Sequence, residues 1–298
     1  MDVQTSPEGA CQNDNEIDPF QITRAQYLAD HNGKTRGTAN PSIMNKPFWK
    51  YMIARGGSAY SARQLFLDKE DLAKEGEIEG VKYPDWPFGP VWCFDRFGST
   101  VTKLPDGRLV HIGGEHEDFY DPDFCIYNDV VGIATSQLSN PVTPSMLEDD
   151  ILDGCDIPPS RFIALEDITI YGYPLDVFPP TDFHTSTYVC DPRSGKEFIY
   201  VIGGLGYESS ASRNRTDVYR LNLSDFSMQR LESVGAKPLG GTHRHKAELY
   251  HRAYDAEPRI KITTEDGRQF SLLTDTLEWI SHGSSLTFGP KSNQAAQA

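Results

Sequence analysis

Residues 107–114, GRLVHIGG, and residues 198–204, FIYVIGG, decide how this chain folds. Each is a short apolar run that ends in two glycines. Each also follows a strand-like run and a turn: STVTKL (99–104) and PDGR (105–108) in one case, HTSTYV (184–189) and DPRSGKE (191–197) in the other. Two β-prone runs joined by such a turn read as a hairpin. Past the glycines comes a polar loop and another strand, CIYNDVVGI (125–133) or TDVYRLNL (216–223). A third, worn copy runs through THRHKAELY (242–250), RIKITTEDG (259–267), QFSLLTD (269–275) and LEWIS (277–281). Units of four short strands cannot bury both faces alone, so they read as blades that must stack on neighbours.

The order apolar strand, double glycine, variable loop and polar-Asp strand (Asn128-Asp129, Thr216-Asp217) resembles the kelch repeat, with the closing Trp of that family kept as Trp279. The resemblance covers residues 92–281. It implies an all-β fold, a kelch-like, galactose-oxidase-like β-propeller of few blades over 91–283, with an N-terminal helical extension. Gly114 and Gly204 lie 90 residues apart, whereas the kelch period is about 50. Residues 134–167 are therefore either a long insertion or a blade without its signature. Three blades can be counted where rings close with about 4 to 8, so a further blade is expected from that segment, from the N-terminal part or from a second subunit in a homodimer.

Ahead of the repeats, residues 1–20 read as a polar, disordered tail, and 284–298 as another. Residues 21–90 carry a helical pattern that packs on the propeller. In PFWKYMIARGG (47–57), Phe48, Tyr51 and Met52 share a face, Pro47 suits a first turn and Gly56-Gly57 a stop. SAYSARQLFL (58–67) reads as a second helix. YPDWPFGPVW (83–92) breaks the pattern and marks the boundary.

A formal net charge of -15, with scattered Lys and Arg, argues against nucleic acid. The first residues lack a basic and apolar leader, and no run of 18 apolar residues occurs. Five dispersed cysteines without a CxxC pair point to reduced thiols. Together these features predict a cytoplasmic protein with a small-molecule partner and no membrane contact.

In a kelch layout the segment leading into each first strand and the loop after each glycine pair open at one end. That register gathers Arg96, Asp182, His184, His243, Arg244 and His245 with Glu115, His116, Asp118, Tyr120 and Tyr207 at a mouth, where convergent polar groups make a small-molecule site. The sharper expectation is acid–base chemistry without a cofactor. His184 beside Asp182 would titrate near neutrality, Arg244 would hold a developing oxyanion, His245 would join them as a catalytic residue, and Arg96, Glu115, His116, Asp118, Tyr120, Tyr207 and His243 would bind substrate. The plainer reading of each His and Arg is that it ties down a neighbouring strand. A zinc, copper or iron site built from His184, His243 and His245 with Glu115 or Asp118 is a further candidate, although none sits at a recognised ligand spacing. In HEDFYDPDF (116–124) the aspartates Asp121 and Asp123 read as turn-formers.

The chain is similar to short, stand-alone kelch-like proteins of fungi and bacteria, some tied to natural-product pathways. That resemblance implies a cofactor-free cyclase of secondary metabolism, which dehydrates a substrate to a quinone methide and joins it to a polyene by a hetero-Diels–Alder reaction. The alternatives are a kelch protein–protein interaction module without catalysis and a metal-dependent oxidase.

Overall fold

The computed structural model describes residues 22–67, 89–116, 124–134, 163–206, 215–250 and 257–284. The protein is mainly β. Three sheets follow the repeats. Sheet 1 is the meander β2 (Thr100–Lys103), β3 (Leu109–Ile112), β6 (Val130–Ile133) and β7 (Ile168–Gly172), with β1 (Ser42–Ile43) added at its outer edge. Sheet 2 is β8 (Thr185–Cys190), β9 (Glu197–Ile202), β10 (Val218–Asn222) and β11 (Met228–Leu231). Sheet 3 is β13 (Lys246–Tyr250), β14 (Arg259–Thr263), β15 (Arg268–Leu273) and β16 (Glu278–Ser284), with β12 (Val234–Gly235) along β16 as the one parallel pair. A two-stranded ribbon, β4 (Glu115–His116) with β5 (Cys125–Ile126), stands on the loop after the first glycine pair.

The question posed by residues 134–167 is settled by pairing. β6 and β7 flank that segment and are direct antiparallel neighbours, Val131 opposite Ile170. It is an insertion between two strands of one sheet.

The sheets stack in chain order through two apolar layers. Between sheets 1 and 2 lie Val110, Ile112 and Val130 against Ile199, Val201, Tyr219 and Leu221. Between sheets 2 and 3 lie Tyr200, Ile202 and Val218 against Ile260, Ile262, Phe270, Leu272 and Trp279. Successive side chains of a strand point to opposite faces, so FIYVI in β9 is apolar throughout because both of its faces are covered. The innermost strands β2, β8 and β13 pack side by side. The described residues form no closed ring.

Both ends of the stack are treated differently from its middle. The free face of sheet 1 is covered by α1 (Arg24–Asp30), α2 (Pro47–Arg55) and α3 (Ala59–Phe66), whose Tyr27, Phe48, Trp49, Met52 and Phe66 share a core with Leu109, Val131, Ile168 and Ile170. The Trp49 and Trp92 rings stack at 4.8 Å, 8° from parallel, and Trp49 Nε1 donates to Asp30 O at 2.6 Å. Residues 89–92 are stitched to the N-terminal segment by backbone bonds, Gly33 N to Pro90 O and Trp92 N to His31 O. On the far side of sheet 3 the alternation places half-buried polar groups, Arg259, Lys261, Thr263 and Gln269, beside buried Ser271 and Leu273. The helices predicted at 47–55 and 58–66 are thus present, and they occupy the place of a preceding sheet.

Candidate active site

The two sheet–sheet interfaces repeat one set of bonds. Gly114 N donates to Thr181 O and Gly204 N to Thr242 O, at 2.8 and 2.9 Å. Phe183 N donates to Gly98 O, and Arg244 N to Phe183 O, at 2.7 and 2.8 Å. His184 Nε2 meets Thr100 Oγ1, and His245 Nε2 meets Thr185 Oγ1, both at 2.8 Å. This registers Gly98, Phe183 and Arg244 as equivalents, and all three are left-handed, with φ of 61°, 49° and 50°. Phe97, Asp182 and His243 form the preceding row: Glu115 N donates to Phe97 O and Leu205 N to Asp182 O. The double glycines serve this join. A Cβ on Gly113 or Gly203, both at positive φ, would lie 2.3 or 2.1 Å from the carbonyl oxygen of Thr181 or Thr242.

Several predicted site residues are therefore committed to holding sheets together. Each His ring nitrogen on a threonine of the preceding sheet makes His184 and His245 interface pins, and Asp182 is bonded elsewhere than to His184. Burial, with positive charge on nearby His243, depresses His245 to about 4, so the ring stays neutral at pH 7. Arg96, expected at the mouth, is a correction. Its side chain is 4% exposed, and its guanidinium is bidentate to Asp129 at 2.5 and 3.0 Å. It also donates to Cys93 O and Gly113 O and lies over the Tyr127 ring at 3.6 Å. Trp92 Nε1 completes the shell of Asp129 at 2.8 Å. Every exposed direction of this ion pair is closed, so Arg96 anchors the first sheet and offers nothing to a ligand. His116 is buried, with Nδ1 donating to Asp95 O at 2.9 Å. Asp118, Tyr120 and Tyr207 lie outside the described residues.

A smaller group remains around Asp182. Asp182 is 0% exposed. Its Oδ1 accepts from Gly206 N at 2.6 Å, and Oδ2 is buried with no hydrogen-bond partner. The Glu115 carboxyl is half-buried on β4 and feels the Asp182 carboxyl electrostatically. Burial, then the neighbouring Asp182 carboxyl, raise Glu115 to about 7, against an opposing pull from Arg244. Near neutral pH Glu115 is therefore about half protonated.

Arg244 is exposed, with its guanidinium 4.3 Å from the Phe183 ring centre and no ion-pair partner among the described residues. Phe97 is 68% exposed and bridges to Glu115; paired residues of an antiparallel bridge project to the same side. His243 is half-buried, with an unpaired Nδ1. The acid, the cation and the two aromatics come from the approaches to three different sheets. Of this group the sequence singled out Glu115, Asp182, His243 and Arg244 but neither Phe97 nor Phe183. Aligning PheGly, AspPhe and HisArg as one repeated position would have found both. Among the described residues no three His, Cys, Asp or Glu gather as a metal-binding group, and no helix is long and apolar enough to cross a membrane.

No family model matches the chain, and no curated protein matches it.

Proposed function

We propose that the three sheets are blades of an open, kelch-like propeller and that its mouth is the active site of a cofactor-free cyclase of secondary metabolism. The observation that supports this most is the half-buried Glu115 carboxyl, raised to about 7 by burial and by neighbouring Asp182 and acted on by Arg244. A carboxylic acid poised near neutral pH is matched to protonating a poor leaving group.

On an ortho-hydroxybenzyl alcohol, Glu115 gives its proton to the benzylic hydroxyl, the C–O bond breaks and water leaves. The phenolic proton passes to the Glu115 carboxylate, which restores the acid, and the neutral quinone methide remains. Arg244 stabilises the oxygen as it changes from phenol to enone. Cycloaddition to a polyene then needs no proton, only alignment of the two partners on Phe97 and Phe183. The acid of the first step is thus Glu115, and His184 and His245 hold the site from behind.

The test is turnover of such an alcohol with a conjugated polyene. The purified protein is expected to form the cyclised product faster and with more stereocontrol than buffer, and Glu115→Gln to slow it about 100-fold or more. Product formation at the buffer rate, or full activity in the variant, overturns the reading.

A further inference from the structure

We infer that the Phe183–Arg244 ledge is a receptor for a planar ligand carrying an oxyanion, a conjugated carboxylate or ionised enol, with the oxyanion held on the guanidinium. This rests on the mouth being the ligand site and adds the class of molecule it takes.

Four observations carry it. Among the described residues Arg244 has no carboxylate ion pair, whereas Arg96, Arg215 and Arg230 are each paired with an aspartate. Its guanidinium lies over an aromatic ring, which leaves the fork of N–H donors directed along the plane, the geometry that takes a carboxylate bidentate. It is held at positive φ by the bond from its own N–H to Phe183 O, so its backbone is fixed. Glu115, which feels the Arg244 charge, is bridged to exposed Phe97 and donates to an oxyanion whenever it carries its proton. An unpaired cation, a neutral hydrogen-bond donor and an uncovered ring together select a flat anion, and they disfavour a cation or an aliphatic alcohol.

The probe is 2-naphthoate, with 2-acetylnaphthalene as its neutral counterpart, titrated calorimetrically into the intact protein at low salt. Naphthoate is expected to bind about tenfold or more tightly than the ketone, and Arg244→Gln to remove that preference while leaving the ketone unchanged. Phe97→Ala, on the surface, is expected to weaken both probes alike. Equal affinity for the two probes, absent binding of naphthoate, or an unchanged preference in Arg244→Gln would overturn the inference. Turnover by the native protein separates the two claims. Naphthoate preference without any turnover by the native protein sinks the cyclase reading alone.

Discussion

A non-glycine residue in the left-handed region costs about 1–2 kcal/mol, and Arg244 pays it at an exposed position. Its stacking on Phe183 returns about 0.5–1 kcal/mol at such a site, so packing does not repay the strain. Arg244→Gly is accordingly expected to leave the melting temperature unchanged or raise it, while removing turnover and naphthoate preference; a fall of several degrees would mean that Arg244 is a structural residue. Glu115 makes a second prediction through pH. Its folded pKa is raised to about 7, above the unfolded value of about 4.3. The native state therefore binds more protons than the unfolded one between those values, and stability from this group falls as pH rises through that window. His111 and His245, both depressed to about 4 by burial, act oppositely and cost stability as pH falls below about 6.5. Melting curves of the native protein and Glu115→Gln from pH 5 to 8 should diverge, the variant losing less stability toward pH 8. Parallel curves would remove the raised proton affinity of Glu115 from the account.

At the scale of elements, the same join is made twice, so the same substitution should cost the same twice. His184→Ala and His245→Ala each leave a threonine hydroxyl facing the place of a buried ring, and about 1–3 kcal/mol is expected from either by denaturant unfolding. Gly203→Ala is expected to cost more, because a Cβ at 2.1 Å from a carbonyl cannot be absorbed. Much of this was legible in the sequence. The turns, the apolar runs and the glycine pairs fix strands and register, since slipping a strand by one residue exchanges its faces. The site was legible only in part. Glu115, Asp182 and Arg244 were picked out by their place in the repeat, but whether a polar residue at a strand approach faces solvent or pins its neighbour depends on the adjacent sheet. That is a long-range relation, invisible in a local pattern. Arg96 shows it best: in sequence it resembles Arg244, and it is sealed because Asp129, Trp92 and Tyr127 close around it.

For the molecule as a whole, the helices decide where the stack begins. They cover a sheet face that would otherwise expose Leu109, Val131 and Ile170, and the Trp49–Trp92 stack joins the two parts. Trp49→Ala is expected to destabilise the protein by about 3–5 kcal/mol, measured by chemical denaturation, and a loss under 1 kcal/mol would mean that the helices are an appendage. The connection between β6 and β7 has a different bearing. Val130 pairs with Ile112 beside the glycines, while Ile133 pairs with Leu109 beside the PDGR turn. The chain therefore leaves Ala134 and returns at Ile163 from the end opposite Glu115 and Arg244. In an engineer's terms Ala134 and Ile163 form a socket: a reporter or a second enzyme grafted between them would start and finish on the side of the scaffold away from Glu115 and Arg244.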